Sequence, residues 1–168
     1  MSARFGKLGW VWLSVFVIVI DLTTKYYFNA ALADGRQIVV IPDLLNWALA
    51  YNTGAAFSFL SQGSGWQRWF FALIAIVVSV VLVVWMKRLK SGETWLAIGL
   101  ALVLGGALGN LYDRMIHGHV IDFIFVYWKD VWRFPVFNLA DCAITVGAVL
   151  LALDMFKSKK PEEEVARD

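Results

Sequence analysis

The sequence predicts a single-domain membrane protein, an all-α bundle of four transmembrane helices with a small extracytoplasmic β-sheet. The first observation is composition: 60% of the 168 residues are hydrophobic and the mean hydropathy is +0.67, whereas soluble domains have about 45–50% apolar residues. The second is that four apolar runs approach the roughly 20 residues needed to cross a bilayer. The third is that two of the connections between these runs carry strand and turn signals.

The four apolar runs are the predicted transmembrane helices. They cover about residues 8–28, 69–86, 94–112 and 137–156. The first run has features of a cleaved secretory signal, since Arg4 and Lys7 precede it and Ala31-Leu32-Ala33 resembles a cleavage site. However, Asp21 and Lys25 lie before that site, which makes the region too long and too charged for a signal peptide. We therefore expect an uncleaved first helix.

Basic residues indicate the topology. They cluster before helix 1, between helices 2 and 3, and after helix 4, so these segments and both termini are predicted to be cytoplasmic. The count is nine basic residues inside against six outside. The outer segments then cover about residues 29–68 and 113–136, and the polar tail, about residues 160–168, is predicted to be disordered.

The outer segments are expected to form the sheet. Residues 37–41 are rich in β-branched side chains and end at a Pro-Asp turn, and residues 119–127 and 131–136 flank a polar turn. Tryptophans and phenylalanines are frequent in these segments, and aromatic rings of this kind concentrate at membrane interfaces. We expect the sheet to rest on the outer face of the membrane.

Two acids, Asp122 and Asp141, are the candidate catalytic residues. An ionised carboxylate in a membrane costs about 2.5–3.5 kcal/mol on insertion scales, so such acids usually have a function. Two carboxylates that share one proton have different pKa values, so one can act as base and the other as acid. At a rise of about 1.5 Å per residue, Asp141 is expected ~6 Å below a helix start at Phe137. This pair predicts aspartic proteolysis just beneath the outer surface.

Further polar residues are predicted to lie at the same outer level. They are Asp21, Lys25, Asn110, Arg114 and Asn138. Asp21 and Lys25 are spaced i, i+4, which favours a structural ion pair over substrate contact. Arg114 either holds a peptide backbone or extends its charge to the interface. Residues 52–58, which include Asn52 and Gly54, could be a surface on which a substrate strand lies.

Other features favour packing over chemistry. Gly105 and Gly109 are a small-xxx-small pattern for close helix contact, and Cys142 is interpreted as a small packed residue rather than a nucleophile. His117 and His119 with Asp122 could form a metal site, but no further firm ligand accompanies them, so no metal or other cofactor is predicted. A serine hydrolase elbow at residues 63–65 and nucleic-acid binding are also not expected.

Five motifs in order resemble the lipoprotein signal peptidase (type II signal peptidase) family of bacteria, over nearly the whole chain. They are D-L-T-T-K (21–25), N-T-G-A-A-F-S (52–58), G-G-A-L-G-N-L-Y-D-R (105–114), V-I-D-F (120–123) and F-N-L-A-D (137–141). The resemblance implies a four-helix inner-membrane aspartic peptidase with a periplasmic β-cradle. It implies cleavage of prolipoproteins on the amino side of a diacylglyceryl-modified cysteine.

The same resemblance assigns residues. It implies that Asp122 and Asp141 are catalytic. It implies that the following positions lie near the substrate: Asn52, Gly54, Asn110, Arg114, Asn138 and Ala140. The expected partners are modified prolipoproteins and membrane lipids, and the protein is expected to be a monomer. The alternative from another class is a small proton-coupled transporter, in which membrane acids relay ions through the depth of the bilayer.

Overall fold

Four helices form the membrane-spanning part of this computed structural model, which describes residues 6–54, 65–129 and 131–157. Each helix is long and apolar enough to cross a membrane. They are α1 (Val11–Ala31), α2 (Trp66–Arg88), α3 (Thr94–Ile116) and α4 (Leu139–Lys157), and a short 3₁₀ turn, Leu8–Trp10, precedes α1. The predicted four-helix bundle is thus confirmed.

Helix α3 lies at the centre of the bundle and packs against the other three helices. Its glycines allow this contact, because a Cβ on Gly105 would lie 2.8 Å from the Cβ of Val17 on α1. A Cβ on Gly106 would overlap the carbonyl oxygen of Ala140 on α4. Both distances are shorter than real Cβ contacts, so these glycines let α1 and α4 pack against α3. The contact at Gly105 belongs to the predicted small-residue pattern of Gly105 and Gly109, whereas Gly106 lies outside that pattern.

The outer segments form a four-stranded antiparallel sheet. Its strands are β1 (Ile38–Ile41), β2 (Leu45–Asn52), β3 (Val120–Trp128) and β4 (Trp132–Arg133), in the order β1-β2-β3-β4. The small sheet is confirmed, and β1 and β3 lie close to their predicted ranges. The sequence prediction missed β2, whose alanines and asparagines have low strand propensity. It also made β4 too long.

An aromatic stack fixes the sheet on the end of α1. The ring of Phe28 lies 4.4 Å from that of Phe123 on β3 and 4.9 Å from that of Trp47 on β2, centroid to centroid. Stacked and tilted aromatic pairs of this kind add to the free energy of burial. The contact places β3, which carries Asp122, against the C-terminal end of α1.

The start of α4 corrects one prediction. Helix 4 begins at Leu139 rather than Phe137, because Phe137 is held by β3: its N–H donates to the Ile124 carbonyl at 3.0 Å, and its carbonyl accepts from the Ile124 N–H at 2.8 Å. Asp141 therefore lies in the first helical turn, closer to the helix start than the predicted ~6 Å.

Helix α3 corrects another boundary. It continues to Ile116, one turn beyond the predicted end, so Asp113 and Arg114 are helical. The predicted disordered tail (160–168) and most of the predicted substrate surface (55–58) lie outside the described residues.

Candidate active site

The first turn of α4 is built around a reciprocal cap between Asn138 and Asp141. The Asp141 N–H donates to Asn138 Oδ1 at 2.9 Å, and the Asn138 N–H donates to Asp141 Oδ2 at 3.3 Å. This is the capping-box arrangement, with Asn and Asp in place of the usual Ser/Thr and Glu/Gln. One predicted catalytic acid is therefore held in place by its own helix terminus.

Asn138 also reaches the other predicted acid. Its Nδ2 donates to Asp122 Oδ1 at 2.6 Å. Asp122 lies on β3 opposite Ala50 of β2, and only 2% of it is exposed. The two carboxylates come from different elements, a strand and a helix, and the fully buried Asn138 bridges them.

The pKa of Asp122 is raised from its ordinary value to about 7. Burial is the largest cause, and the neighbouring Asp141 carboxylate is the second, because two negative charges at close range repel. Hydrogen bonds from the side chains of Asn138 and Asn52 act in the opposite direction, since they stabilise the ionised form. Asp122 therefore holds a proton near neutral pH far more readily than an ordinary aspartate.

Asn110 of α3 connects the acids to a deeper charged cluster. Its Nδ2 donates to Asp141 Oδ1 at 2.8 Å, while its Oδ1 accepts from Lys25 Nζ at 2.9 Å and from Asn138 Nδ2 at 3.2 Å. The orientation of this amide is thus set by a cation on one side and a carboxylate on the other.

Lys25 is completely buried and has three acceptors, one for each ammonium proton. Besides Asn110, its Nζ lies 2.7 Å from Asp21 Oδ2 and 3.0 Å from Asp113 Oδ2. The other oxygen of Asp21, Oδ1, accepts from the N–H of Ala140 at 2.9 Å. The predicted ion pair between Asp21 and Lys25 is therefore present, and it also holds the start of α4.

Sequence reasoning misses Asp113. Its Oδ2 pairs with Lys25 and also accepts from the Ile121 N–H at 3.1 Å, which ties β3 to α1 and α3. The available signal is its spacing of three residues from Asn110, which puts both on one face of α3. The sequence prediction places Asp113 in the outer segment because it ends helix 3 too early.

Arg114 binds backbone rather than either acid. Its Nη1 donates to the Asn110 carbonyl at 3.2 Å and its Nη2 to the Gly54 carbonyl at 3.1 Å, and its guanidinium lies 5.4 Å from the centroid of the Phe71 ring. The side chain of Asn52 accepts from the Gly54 N–H at 3.0 Å. Arg114 therefore fixes the end of β2 beside the acids and is not a side chain that only extends to the interface.

A cavity of about 610 Å³ opens beside Asp141. One part of its wall is polar, with Asn52, Asn110 and Arg114, and another part is apolar, with residues 134–137 and side chains of α4. Asp141 is one of the lining residues, whereas Asp122 is not and is connected to the wall through its hydrogen bond with Asn138. Ligand pockets typically combine apolar walls with a few converging polar groups in this way.

The structure brings nearly all the predicted site residues together at the end of the bundle that carries the sheet. The described residues contain no group of three possible His, Cys, Asp or Glu metal ligands. His117 Nδ1 lies 3.7 Å from Asp113 Oδ1, and Asp122 is hydrogen-bonded to Asn138. His117, His119 and Asp122 therefore do not form a shared metal site. Cys142 is a free, half-buried thiol in the cavity wall.

Comparison with known proteins identifies the family. Residues 13–157 match the family model described as signal peptidase (SPase) II. A protein named lipoprotein signal peptidase from Pseudomonas aeruginosa (strain UCBPP-PA14) is 71% identical over 160 residues, which is 95% of each chain. One of the same name from Pseudomonas fluorescens (strain Pf-5) is 71% identical over 164 residues, 98% of this chain and 96% of the relative.

Two solved structures have the same fold. A bacterial membrane enzyme solved in meso at 2.3 Å is 34% identical with a TM-score of 0.77, covering 98% of this chain and 99% of the other. A second, solved at 1.9 Å, is 30% identical with a TM-score of 0.79, covering 94% and 99%. The transporter alternative finds no support in these similarities. The resemblance seen in the sequence is confirmed, and the chain belongs to the signal peptidase II family of membrane proteases.

Proposed function

We propose that this protein is an intramembrane aspartic endopeptidase that removes signal peptides from prolipoproteins, on the amino side of the diacylglyceryl-modified cysteine. The observation that carries the aspartic assignment is the pair of carboxylates, Asp122 and Asp141, bridged by Asn138 beside the cavity. The substrate class follows from the names of the close relatives.

The environments of the two acids favour different roles. Asp141 lies in the cavity wall, where the Asn110 amide and the Asn138 N–H hold its carboxylate, so it is placed to take a proton from a water in the cavity. Asp122, with its pKa raised to about 7, is the better proton donor at neutral pH. We therefore assign Asp141 as general base and Asp122 as general acid, within a pair that titrates as a unit.

The reaction then needs no covalent enzyme intermediate. Asp141 takes a proton from water as the water oxygen attacks the scissile carbonyl carbon, and Asp122 gives its proton to the carbonyl oxygen. On collapse of the tetrahedral intermediate the C–N bond breaks, Asp141 returns its proton to the leaving amine, and Asp122 recovers a proton from the hydroxyl. Both acids end in their starting protonation states.

The polar wall of the cavity suits an extended peptide. Asn52 and Arg114 lie beside Asp141 in this wall, and both offer N–H donors to backbone carbonyls. A helical peptide has its carbonyls already hydrogen-bonded, so the scissile region must leave the helix before attack. The end of β2 provides a neighbouring extended strand for this segment.

The proposed orientation places both termini in the cytoplasm and the acids near the periplasmic face of the inner membrane. The basic residues of the α2–α3 turn support this, since such residues are retained on the cytoplasmic side. At this depth, the two acyl chains of the modified cysteine would hold the scissile bond level with the acids, because each buried methylene contributes about 0.8 kcal/mol.

The test compares two precursors in a reconstituted bilayer. One carries the diacylglyceryl group, and the other has its acceptor cysteine replaced by serine and is unlipidated. We expect cleavage of the first only, detected as a shorter product whose new amino terminus is the modified cysteine. Equal cleavage of both would disprove the lipid requirement, and cleavage elsewhere would disprove the assigned position.

A further inference from the structure

The end of the bundle opposite the acids carries a second polar surface. Helix α2 ends at Arg88 and α3 begins at Thr94, and at about 1.5 Å per residue Thr94 is ~24 Å along α3 from Asn110. The charged residues whose side chains are described at this end are four cations and two acids. They are Lys7, Lys87, Arg88, Lys90, Glu93 and Asp154.

Three of these cations have no partner among the residues that the structure describes. Lys87, Arg88 and Lys90 are exposed, and within residues 6–54, 65–129 and 131–157 their side chains make no hydrogen bond or ion pair. Glu93, three residues after Lys90, forms no ion pair with them, and its Oε2 accepts from the backbone N–H of Lys90 at 2.5 Å, so its single charge offsets only part of the three positive charges. The surface formed by Lys87, Arg88 and Lys90, here called the basic turn, thus keeps its positive charge.

The backbone beneath the basic turn is held firmly. The Lys7 N–H donates to the Met86 carbonyl at 3.0 Å, and Lys7 Nζ donates to Thr94 Oγ1 at 3.1 Å. Gly6 lies so close that an added Cβ would overlap the Lys87 carbonyl oxygen. Gly6 and Lys7 therefore pack against the carbonyl end of α2, and no described residue takes up the side chains of the three cations.

Large apolar side chains lie next to the basic turn. Trp85, two residues before Lys87, is 43% exposed, and Trp95, next to Thr94, is 62% exposed. A soluble anion would use the cations alone. A phospholipid would use both features, with its phosphate on the cations and its acyl chains against the aromatic and aliphatic surface of α2 and α3.

We propose that the basic turn is a binding site for an anionic phospholipid of the leaflet into which this end of the bundle projects. The charge favours an anionic over a zwitterionic headgroup, because the three exposed cations form no ion pair within the described part of the chain. A cation near a membrane surface contributes about 1 kcal/mol, or roughly fivefold in binding, so three cations give on the order of a hundredfold preference. This proposal does not depend on the peptidase mechanism.

Native mass spectrometry of the purified full-length protein tests the site. The protein is exposed to equal amounts of phosphatidylglycerol and phosphatidylethanolamine, and the ratio of the two retained lipids is measured. We expect wild type to favour phosphatidylglycerol strongly and the K87Q/R88Q/K90Q variant to retain the two about equally. The charge-conserving variant K87R/R88K/K90R should keep most of the preference, which separates charge from local packing.

Lys129→Gln, at the opposite end of the molecule, is the spatial control and should behave like wild type. If K87Q/R88Q/K90Q does not fold, the three single variants replace it, each with a roughly fivefold smaller preference. An unchanged preference in the neutralised variants, or an equal loss in Lys129→Gln, would overturn the proposal. Neither result bears on cleavage activity, which is measured separately on the lipidated precursor.

Discussion

Asn138 gives the candidate site its geometry. Its fully buried side chain caps α4 at the Asp141 N–H and donates to the Asp122 carboxylate and the Asn110 amide oxygen, while its backbone N–H donates to the Asp141 carboxylate. A buried amide with all its groups bonded has essentially one orientation, so it fixes the relative positions of the two carboxylates. The bridge brings together two acids that lie on a strand and a helix, as the proposed mechanism requires.

Replacing either acid by asparagine should abolish cleavage without unfolding the protein. Asp122→Asn and Asp141→Asn keep the side-chain shape and retain one acceptor oxygen, which at position 141 can still accept from the Asn138 N–H. An amide cannot exchange the required proton, however. General acid or base catalysis contributes about 10²–10⁴-fold, so a loss in that range is expected in kcat.

Thermal unfolding checks the fold, and the exposed Asp34→Asn is the matched control. Near-normal kcat in either site variant would remove that residue from the mechanism.

The pH dependence should follow Asp122. As general acid it must be protonated, and its pKa of about 7 means that the protonated form is lost as pH rises through neutrality. We expect kcat/KM to fall about tenfold per pH unit above that point. Measurement from mildly acidic to mildly alkaline pH on the lipidated precursor checks this. A profile that stays flat well above neutrality would contradict the acid role.

Arg114→Lys should impair cleavage although the charge is kept. The guanidinium reaches the carbonyls of Asn110 and Gly54 with two different nitrogens, and lysine, with a single ammonium, cannot reproduce this fork. Loss of one charged hydrogen bond, about 1.5–3 kcal/mol, corresponds to at least a roughly tenfold decrease in kcat/KM. Arg36→Lys, at an exposed position, is the control. Wild-type kinetics in Arg114→Lys would show that the hydrogen bond from Arg114 to the Gly54 carbonyl is not needed for cleavage.

At the scale of elements, the sequence predicts the four helices but does not predict the residues at which they begin and end. Apolar runs define the four helices, but Phe137 is removed from α4 by pairing with β3, and Asp113 is added to α3 because Lys25 neutralises it. β3 and Lys25 are distant in the sequence from the helix ends that they change, so the apolar runs alone do not reveal these contacts. The acids, the amides and Arg114 could be predicted from their residue types, whereas the bridging role of Asn138 required the three-dimensional structure.

The contact between α3 and α4 should be highly sensitive to a single methyl group. In Gly106→Ala the new Cβ would overlap the Ala140 carbonyl oxygen, which is backbone and cannot rotate away. We expect destabilisation of about 1–3 kcal/mol, as for other overpacked cores, together with reduced activity, because α4 carries Asp141. Thermal unfolding in detergent measures the effect.

Gly92→Ala is the matched control, because a Cβ there would meet nothing within 4 Å. It should unfold at the wild-type temperature. If Gly106→Ala is as stable as Gly92→Ala, then α3 and α4 can move apart to admit a methyl group more easily than their close packing indicates.

At the scale of the whole molecule, the proposed topology makes a direct prediction. In a Cys142→Ala background, Asp34→Cys and Ser91→Cys are both at exposed positions and lie at opposite ends of the bundle. A membrane-impermeant maleimide added to intact spheroplasts should label Asp34→Cys only, and Ser91→Cys should react after the membrane is opened. The reverse pattern would invert the orientation, and labelling of both in intact spheroplasts would refute the four-span arrangement.

The buried cluster around Lys25 also bears on how the chain enters the membrane. Helix α1 carries Asp21 and Lys25 one turn apart, so it brings its own counterion and can be inserted as a nearly neutral segment. Asp113 arrives later in synthesis and finds its cation only when α3 meets α1. Because an unpaired carboxylate in a membrane is costly, Lys25 on α1 gives α3 an energetic reason to pack beside the first helix rather than elsewhere in the bilayer.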